Sequence, residues 1–498
     1  MRKTFLYLLL ISSTTGFAQK VGKPDAYAKT ITADDLKRHL YIVAGPEMQG
    51  REAASEGERR AANYIENEFK RIGLEPSANG TYRQPFNLYQ DELTGASLEV
   101  NGQAFDMNKD FVVSVGNVLD ATFRFSEVVL IGAGAADSIK NADLAGKLVL
   151  VMGAGAPAGG RPAAGTANIM NQLRNKGVGG ILTVTPGFPR TTPVNTRGGM
   201  SINNFKRAYS PQIFSISEAV ARAILKEDLD AAKAPTASVK TYPVKVMMDV
   251  QKKTNALPSS NVLGILPGTD LKDQYLVITA HYDHEGSRGD SVIYYGADDD
   301  GSGTVSIIEL AEAFMKAKKE GKGPRRSIVF MTVSAEEKGL QGSAYYGDNP
   351  VYPLDKTTAN LNIDMIGRID PARKVGDSTN YVYIVGDDKL SSELRPISLE
   401  ANKKVKLELD YKFNEPNDPM RIYYRSDHYN FAKHGVPIIF FFNGTHADYH
   451  RPSDTPDKIN YPLLAKRAQL VFYTAWDMAN RPQMLKRDLE LPALTRQF

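Results

Sequence analysis

The chain has 498 residues, more than one hydrophobic core usually holds, so two or three domains are expected. Hydrophobic residues make up 42% of the sequence and charged residues 24%, as in an ordinary globular protein. The 61 basic residues nearly balance the 57 acidic ones, which gives no reason to expect nucleic acid or an anionic membrane as a partner. Cysteine is absent, so thiolate catalysis, disulfides and cysteine-bound zinc are excluded, and any metal must be held by His, Asp and Glu.

The first eighteen residues have the pattern of an export signal. Arg2 and Lys3 form a positive start, residues 5–11 form an apolar run, and small residues precede a cleavage site after Ala18. The apolar run is too short to span a bilayer, and no other segment approaches that length. We therefore expect residues 1–18 to be a signal peptide and the cleaved protein to be periplasmic or secreted.

Two amphipathic helices are predicted in residues 19–110, the first part of the main domain. Thr32 supplies a capping hydroxyl for the first helix, which keeps apolar residues on one face as far as Val43. A second apolar stripe begins at Ala62, and Gly73 is a good C-terminal stop for that helix. Both helices are expected to cover a sheet.

Residues 111–250 have a different character. Short apolar strands are predicted at 128–131, 148–152 and 180–184, with a helix at 167–176 and loops rich in Gly, Ala and Pro between them. His, Asp and Glu do not cluster in this region. It is therefore predicted to be an inserted α/β domain without a catalytic group.

The main domain is expected to resume over residues 251–480 and to end in a tail, 481–498. Apolar runs predict strands at 261–266, 276–278, 327–333, 361–365, 381–385 and 437–442, and a closing helix at 462–478. Strands that alternate with helices favour an α/β fold with a mostly parallel central sheet and helices on both faces.

Imidazole and carboxylate side chains follow the ends of several of these strands, where open α/β sheets place their ligand sites. Neutral imidazole and carboxylate oxygen are ligands that suit zinc. Taken alone, three aspartates before Gly-Ser would suit a solvated turn, and paired glutamates would suit the start of a helix. Their conjunction at strand ends favours a metal site. The candidates are His281, Asp283, Asp299, Glu336, Glu337, Asp364 and His450.

The same segments carry a resemblance to a known family. HYD, GADDDGSG, AEEKGLQGS, NIDMIG, RSDHYNF and YHRPSDT resemble the motifs of zinc aminopeptidases and glutamate carboxypeptidases with two co-catalytic metals. The resemblance covers roughly residues 31–100 and 255–480, and it implies the zinc exopeptidase (phosphorylase/hydrolase-like) fold and a peptide substrate. The insertion resembles a protease-associated domain through ADLAGKLVLV and GVGGILTV.

The family pattern implies two zinc ions per chain. Asp299 would bridge both ions, His281 and Asp364 would complete one site, and Glu337 and His450 would complete the other. Two ions held in this way can polarise a carbonyl together and lower the pKa of a water molecule.

The resemblance also implies roles for residues beside the metals. Glu336 would act as the general base, and Asp283 would hydrogen-bond His281 and fix its tautomer. The peptide bond between Asp299 and Asp300 is expected to be cis, as in relatives. Asp298 and Asp300, on either side of Asp299, are expected to orient the loop rather than to bind metal.

Three functions stay open at this point. An exported di-zinc aminopeptidase is favoured. A carboxypeptidase or another amide hydrolase of the same fold is the first alternative, in which a basic residue such as Arg425 would hold a substrate carboxylate. A non-catalytic interaction protein is the third, although the intact metal and base positions argue against it. Side-chain preference and oligomeric state are left open. Further candidates to line a pocket or contact substrate are His284, His428, His446, Tyr424 and Asp427.

Overall fold

The computed structural model describes residues 23–491, except 78, 117, 133–138, 153–163, 206–209, 234–238 and 290. The predicted signal peptide and its cleavage site lie outside the described residues, as does 492–498 of the predicted tail. Within the part that is described, no helix combines the length and the apolar character needed to cross a membrane.

The secondary structure alternates between strands and helices. The helices are α1 (Asp25–Ala28), α2 (Ala33–Val43), α3 (Glu56–Ile72), α4 (Ala164–Asn175), α5 (Glu218–Leu225), α6 (Leu229–Ala232), α7 (Gly303–Lys319), α8 (Gln341–Asp348), α9 (Leu394–Val405), α10 (His428–Ala432) and α11 (Tyr461–Asn480). The strands are β1 (Glu75–Pro76), β2 (Arg83–Val100), β3 (Gln103–Phe105), β4 (Phe111–Val113), β5 (Ala121–Phe125), β6 (Val128–Ile131), β7 (Leu148–Val151), β8 (Gly180–Val184), β9 (Arg197–Ser201), β10 (Gln212–Ile216), β11 (Lys240–Tyr242), β12 (Val246–Leu266), β13 (Leu271–His281), β14 (Ser287–Arg288), β15 (Val292–Ile293), β16 (Arg326–Val333), β17 (Thr357–Ile363), β18 (Tyr381–Val385), β19 (Glu408–Asp410) and β20 (Ile438–Phe442).

The chain divides into two compact units. The first comprises residues up to Phe86 and from Ser259 onward, and the second comprises Asn87–Pro258. These boundaries differ from the expected insertion at 111–250. The difference arises because β2 and β12 are long strands, so each boundary falls inside a strand rather than in a loop.

The first unit is built on a sheet whose strand order is β19-β18-β20-β17-β13-β16-β12. The central pairs β13·β16, β13·β17 and β17·β20 are parallel, as is β18·β19, whereas β12·β16 and β18·β20 are antiparallel. The predicted α/β class is therefore confirmed, with a parallel centre inside a mixed sheet. A short turn joins β12 to β13, so these two strands run in opposite directions. Because β13 is parallel to β16, β12 is antiparallel to β16.

Each face of this sheet carries its own apolar cluster. In β16, Ile328 and Phe330 pack with helices α2, α3, α7, α9 and α11, while Val329 and Met331 pack on the other face with residues of α8 and α10. The alternation follows the period of two in a strand. Burial on both faces explains why β16 is a continuous apolar run from Ile328 to Met331 in the sequence.

The predicted helix signals act as expected. Thr32 accepts a hydrogen bond from the Asp35 amide at the start of α2. Ser55 does the same for the Glu58 amide, so α3 begins earlier than the apolar stripe at Ala62. Gly73 ends α3 with a φ of 96°, a conformation that glycine adopts without steric cost.

Phe314 of α7 belongs to the apolar cluster that contains Ile328 and Phe330, and its replacement tests how that cluster is packed. Its ring centroid lies 4.6 Å from that of Phe472 and 5.7 Å from that of Trp476, and its side chain is fully buried. We expect Phe314→Ala to lower the free energy of unfolding by about 3–5 kcal/mol, since it leaves a cavity. Urea unfolding measures this change. Leu399→Ala, at a position 48% exposed, is the control and should change stability by about 0.5 kcal/mol or less. An equal decrease in the free energy of unfolding in both variants would contradict the tight packing of Phe314.

The second unit has its own six-stranded sheet, in the order β11-β6-β7-β8-β10-β4. The strands predicted at 128–131, 148–152 and 180–184 are β6, β7 and β8, and they pair in parallel. α5 and α6 contribute Val220, Ile224 and Leu229 to one apolar cluster of this unit. The unit therefore has a hydrophobic core of its own.

Candidate metal centre

Three neighbouring strands bring the predicted ligands to one edge of the sheet. β13 ends at His281, and Asp364 directly follows the last residue of β17. Glu336 and Glu337 follow the end of β16, whose last residue, Val333, lies opposite His281 in the register. Because β13 pairs in parallel with both neighbours, the three carboxyl ends meet at the same edge.

A first group of ligand atoms surrounds His281. Its Nε2 atom lies 3.2 Å from Asp299 Oδ1, 3.7 Å from Asp364 Oδ1 and 3.9 Å from Glu336 Oε2. His281 is fully buried, and Asp299 and Asp364 are nearly so. An imidazole nitrogen and carboxylate oxygens therefore converge on one point, which is the donor set that suits zinc.

A second group surrounds the other oxygen of Asp299. Asp299 Oδ2 lies 3.1 Å from His450 Nε2, which in turn lies 3.1 Å from Glu337 Oε2. His284 Nδ1 lies 2.9 Å from Glu337 Oε1 and 3.8 Å from Asp299 Oδ2. The two oxygens of Asp299 thus face different groups, which is the geometry that a bridging carboxylate requires. The structure brings all five predicted ligands together and adds His284.

Buried polar atoms without hydrogen-bond partners show that these residues fit a metal. They include His281 Nε2, Asp299 Oδ2, Glu337 Oε1 and both ring nitrogens of His284. Buried polar atoms are nearly always satisfied in folded proteins, so a cluster of unsatisfied ones needs a partner. The carboxylate oxygens have free lone pairs, and each neutral imidazole offers one at the nitrogen that carries no proton. Divalent cations would bind these lone pairs.

The loop of Asp299 is held by its neighbours rather than by Asp299 itself. The peptide bond between Asp299 and Asp300 is cis, as predicted. Asp300 Oδ1 accepts hydrogen bonds from the amides of Gly303 at 2.8 Å and Met365 at 3.1 Å. Asp298 Oδ1 accepts one from the amide of Gly367 at 2.6 Å. The Asp299 side chain is therefore left to face the two ligand groups.

Asp283 makes a different contact from the one expected. Its main-chain carbonyl, rather than its carboxylate, lies 3.1 Å from His281 Nδ1, while the nearest carboxylate oxygen is 3.7 Å away. The carboxylate instead accepts hydrogen bonds from the amides of Glu336 at 3.0 Å and Glu337 at 3.4 Å. Backbone geometry after β13 determines this choice. Asp283 thus orients the imidazole with its carbonyl and the glutamate turn with its side chain.

Several supporting residues carry no signal that identified their role in the sequence. Arg51 is fully buried and donates to four main-chain carbonyls, of Val43, Tyr282, Tyr295 and Gly296. Two of these carbonyls belong to the loop before Asp299. Arg51 stands in the GPEMQGR turn, but its distant carbonyl partners leave no trace in the sequence pattern.

Asp454 and Ser426 contact the metal-ligand segments directly. Asp454 Oδ2 accepts from the amides of Asp298 at 3.0 Å and Asp299 at 3.2 Å. Ser426 Oγ donates to Asp364 Oδ2 at 2.7 Å, which fixes the orientation of that carboxylate. Contacts of this kind orient metal ligands and tune their basicity.

The pKa values of Glu336 and Asp299 are shifted in opposite directions. Burial raises the pKa of Glu336 well above its usual value; His281 opposes this, whereas the carboxylates of Glu337 and Asp364 add to it. Burial also acts to raise the pKa of Asp299, but the neighbouring imidazoles of His281 and His450 hold it well below the usual value. Asp299 is therefore an anion, and Glu336 is a carboxylate disposed to take up a proton. Bound cations would lower the pKa of Glu336 again.

A small cavity of about 30 Å³ adjoins the centre. Asp299, Glu336 and Asp364 line it, together with Arg425, whereas none of the other candidates for substrate contact does. Instead, His428 is buried, stacks on Phe440 and lies 2.7 Å from the carbonyl of Tyr423, while His446 contacts Asp298. Asp427 is fully buried, and Tyr424 packs against Tyr429.

Comparison with known proteins assigns this region to a family. Residues 261–475 match the model of Peptidase family M28. That stretch contains every predicted ligand from His281 to His450. Residues 261–475 belong to peptidase family M28.

The chain is also similar to curated relatives and to a solved structure. Aminopeptidase YwaD of Bacillus subtilis (strain 168) is 26% identical over 47% of this chain and 49% of the relative. Leupeptin-inactivating enzyme 1 of Streptomyces exfoliatus is 28% identical over 44% of this chain and 48% of the relative. The chain therefore spans about half the length of these relatives. The solved aminopeptidase from Aneurinibacillus sp. strain AM-1 is 19% identical with a TM-score of 0.57, covering 96% of this chain and 100% of that chain, which shows a common fold.

Proposed function

We propose that this M28 protein is an exported two-zinc exopeptidase that removes N-terminal residues from peptides. The observation that carries the proposal is the position of Asp299, whose two oxygens face two separate groups of imidazole and carboxylate atoms. The match to Peptidase family M28 supports the reaction class, and relatives named as aminopeptidases support the choice of the peptide N-terminus.

Each group of ligands would hold one ion. His281 and Asp364 would hold the first, Glu337 and His450 would hold the second, and Asp299 would be shared. Zinc bound there polarises a substrate carbonyl and lowers the pKa of a water molecule toward about 7. The distances of Asp299 Oδ1 and Asp364 Oδ1 from His281 Nε2, and of Asp299 Oδ2 and Glu337 Oε2 from His450 Nε2, support this division. Glu336 and His284 lie close to the same donor atoms.

Glu336 is the side chain best placed to move protons. It lines the cavity, its side chain is 11% exposed, and it faces His281 Nε2 at 3.9 Å. Glu336 would accept a proton from the attacking water and return it to the nitrogen of the leaving amine. Glu337, the next residue, points toward His450 instead. The Asp283 carboxylate accepts hydrogen bonds from the main-chain amides of both glutamates, which orients the turn that carries them.

Export and the second unit complete the proposal. The N-terminal pattern of Arg2, Lys3 and a short apolar run supports cleavage after Ala18. The second unit would be a protease-associated-like domain without catalytic groups. In support of that role, every group of metal-ligand residues found among the described residues lies in the first unit.

A panel of peptide substrates tests the function. The zinc-loaded protein is expected to hydrolyse peptides with a free N-terminus and aminoacyl anilides, and to leave N-acetylated peptides intact. Blocking the C-terminus as an amide should not abolish hydrolysis. Hydrolysis that requires a free C-terminus would favour the carboxypeptidase alternative, and a lack of hydrolysis across the panel would contradict the enzymatic proposal.

A further inference from the structure

A line of polar side chains crosses one otherwise apolar face of the central sheet. Thr279 of β13 and Asn360 and Asn362 of β17 are fully buried. Thr279 shares its face with Val277, which belongs to the apolar cluster that also contains Met331. Buried polar groups lower stability unless they are hydrogen-bonded, so three of them in such a place require partners.

Hydrogen bonds join these side chains to a candidate metal ligand. Asn360 Nδ2 donates to Thr279 Oγ1 at 2.9 Å, and Thr279 Oγ1 donates to Asn362 Oδ1 at 2.6 Å. Asn362 Nδ2 then donates to Ser426 Oγ at 2.9 Å, and Ser426 Oγ donates to Asp364 Oδ2 at 2.7 Å. These four bonds form a hydrogen-bond chain, which runs from the interior of the sheet to the edge that carries the ligands.

The carboxylate at its end determines the direction of every bond in the hydrogen-bond chain. An ionised carboxylate only accepts, so Ser426 uses its one proton for Asp364 and its oxygen must accept from Asn362. The Asn362 amide therefore points its nitrogen at Ser426 and its oxygen at Thr279, whose hydroxyl must donate. Only one arrangement of the protons satisfies these side chains.

The hydrogen-bond chain leaves one oxygen of Asp364 for the metal. Ser426 binds Oδ2, whereas Oδ1 faces the first ligand group, 3.7 Å from His281 Nε2. A serine hydroxyl rotates about its C–O bond unless its oxygen is also held. Here the Asn362 amide holds it, and Thr279 in turn fixes the Asn362 amide. The orientation of the Asp364 carboxylate thus depends on two side chains that do not line the cavity at the centre.

We propose that Thr279 and Asn362 are positioning residues, which hold Asp364 in the orientation that binds the first zinc ion. The inference rests on the proposed function, because it requires the two-zinc centre. Both residues act through Ser426, the last donor of the hydrogen-bond chain. Glu337, a ligand of the second ion, is not part of this chain, so breaking the chain should weaken the first ion selectively.

Thr279→Val tests the proposal, since valine has nearly the same shape as threonine but no hydroxyl. Competition between the metal-free protein and a chelating dye for zinc measures the affinity of each site. We expect roughly 10-fold weaker binding of one ion, at the lower end of the usual effect of groups that support metal ligands. The affinity for the other ion should not change. Glu337→Gln, which removes a ligand of the second site, shows which affinity belongs to that site.

Two further variants separate the hydroxyl of Thr279 from the packing of its side chain. Thr279→Ser keeps the hydroxyl and should restore the affinity for the first ion. Thr332→Val is the matched control, because Thr332 is buried in the neighbouring strand β16 and its Oγ1 atom has no hydrogen-bond partner among the described residues. It should leave both zinc affinities at their wild-type values.

A double-mutant cycle tests whether the effect passes through Ser426. Ser426→Ala removes the bond to Asp364 and should weaken the same ion. Thr279→Val added to Ser426→Ala should then cause little further loss, because residues that act through one another are not additive. A merely structural role of Thr279 would lower the affinity equally in both backgrounds. Asn362→Ala breaks the next bond of the hydrogen-bond chain and should give the same dependence on Ser426.

Three results would overturn the proposal. The first is an unchanged zinc affinity in both Thr279→Val and Asn362→Ala, and the second is an equal loss at both sites. The third is a full additional loss when Thr279→Val is combined with Ser426→Ala. Zinc binding does not require turnover, so a protein that shows the expected zinc affinities but hydrolyses no peptide would contradict only the proposed function.

Discussion

Replacing Glu336 with glutamine is expected to lower kcat by about 10²- to 10⁴-fold, the usual contribution of a general base. Glutamine has nearly the same shape and still hydrogen-bonds water, but it cannot accept a proton at neutral pH. Glu336 is not needed to complete either proposed ligand set, so both ions should remain. Steady-state kinetics and elemental analysis of the same sample measure the two effects.

The neighbouring residue supplies the control. Glu337→Gln removes an anionic oxygen that lies 3.1 Å from His450 Nε2, so one zinc ion should be lost or bound weakly. The two variants should therefore give opposite signatures, one with low turnover at full zinc content and the other with reduced zinc. If Glu336→Gln kept near-normal turnover, or if Glu337→Gln were the inactive variant with full zinc, the two roles would be exchanged or wrong.

Replacing Asp299 with asparagine is expected to remove both ions and all turnover. The carboxylate is the one side chain that faces both groups, through Oδ1 toward His281 and through Oδ2 toward His450. Asparagine carries no charge and offers one oxygen, so it cannot bridge two cations. Zinc content after dialysis should fall toward zero, whereas loss of a ligand from one site alone would leave about one equivalent.

Asp298→Asn is the matched control for that variant. Asp298 stands next to Asp299 but binds the Gly367 amide and His446, and asparagine can still accept the amide hydrogen bond. The control should keep both ions and most of the activity, and circular dichroism should show that both variants are folded. Retention of two equivalents of zinc by Asp299→Asn would contradict the bridging role.

The positions of the candidate ligands could be predicted from the sequence because the pattern is local. Three of the ligands stand at or shortly after strand ends: His281 is the last residue of β13, Asp364 directly follows β17, and Glu337 comes four residues after β16. Parallel neighbours carry such residues to a common edge. The apolar run of β16 also located that central strand, since β16 is buried on both faces and is apolar from Ile328 to Met331.

The supporting contacts could not be predicted because they depend on distant backbone. Arg51 binds carbonyls more than 200 residues away in sequence, and Asp454 binds amides 155 and 156 residues away. Nearly every residue offers the same main-chain amide and carbonyl, so no sequence pattern shows which of them a side chain will bind. His284 did carry a signal, as the second histidine of H-x-D-H, but only the distance to Glu337 shows that it joins the ligand group.

The compact units of the structure have other bounds than the predicted insertion at 111–250. A change in composition near residue 111 marks where short strands and Gly-rich loops begin, but β2 enters the second unit at Asn87 without interruption. β12 leaves it at Pro258 in the same way. Because each of these strands continues across the boundary, no loop or linker in the sequence marks it.

Zinc titration of the metal-free protein tests the central claim most directly. Elemental analysis of the reloaded, dialysed protein should give two equivalents of zinc per chain, and peptide hydrolysis should depend on loading both. Asp299→Asn treated in the same way should bind neither ion stably. Full activity in protein that holds less than one equivalent of zinc would contradict the two-metal account.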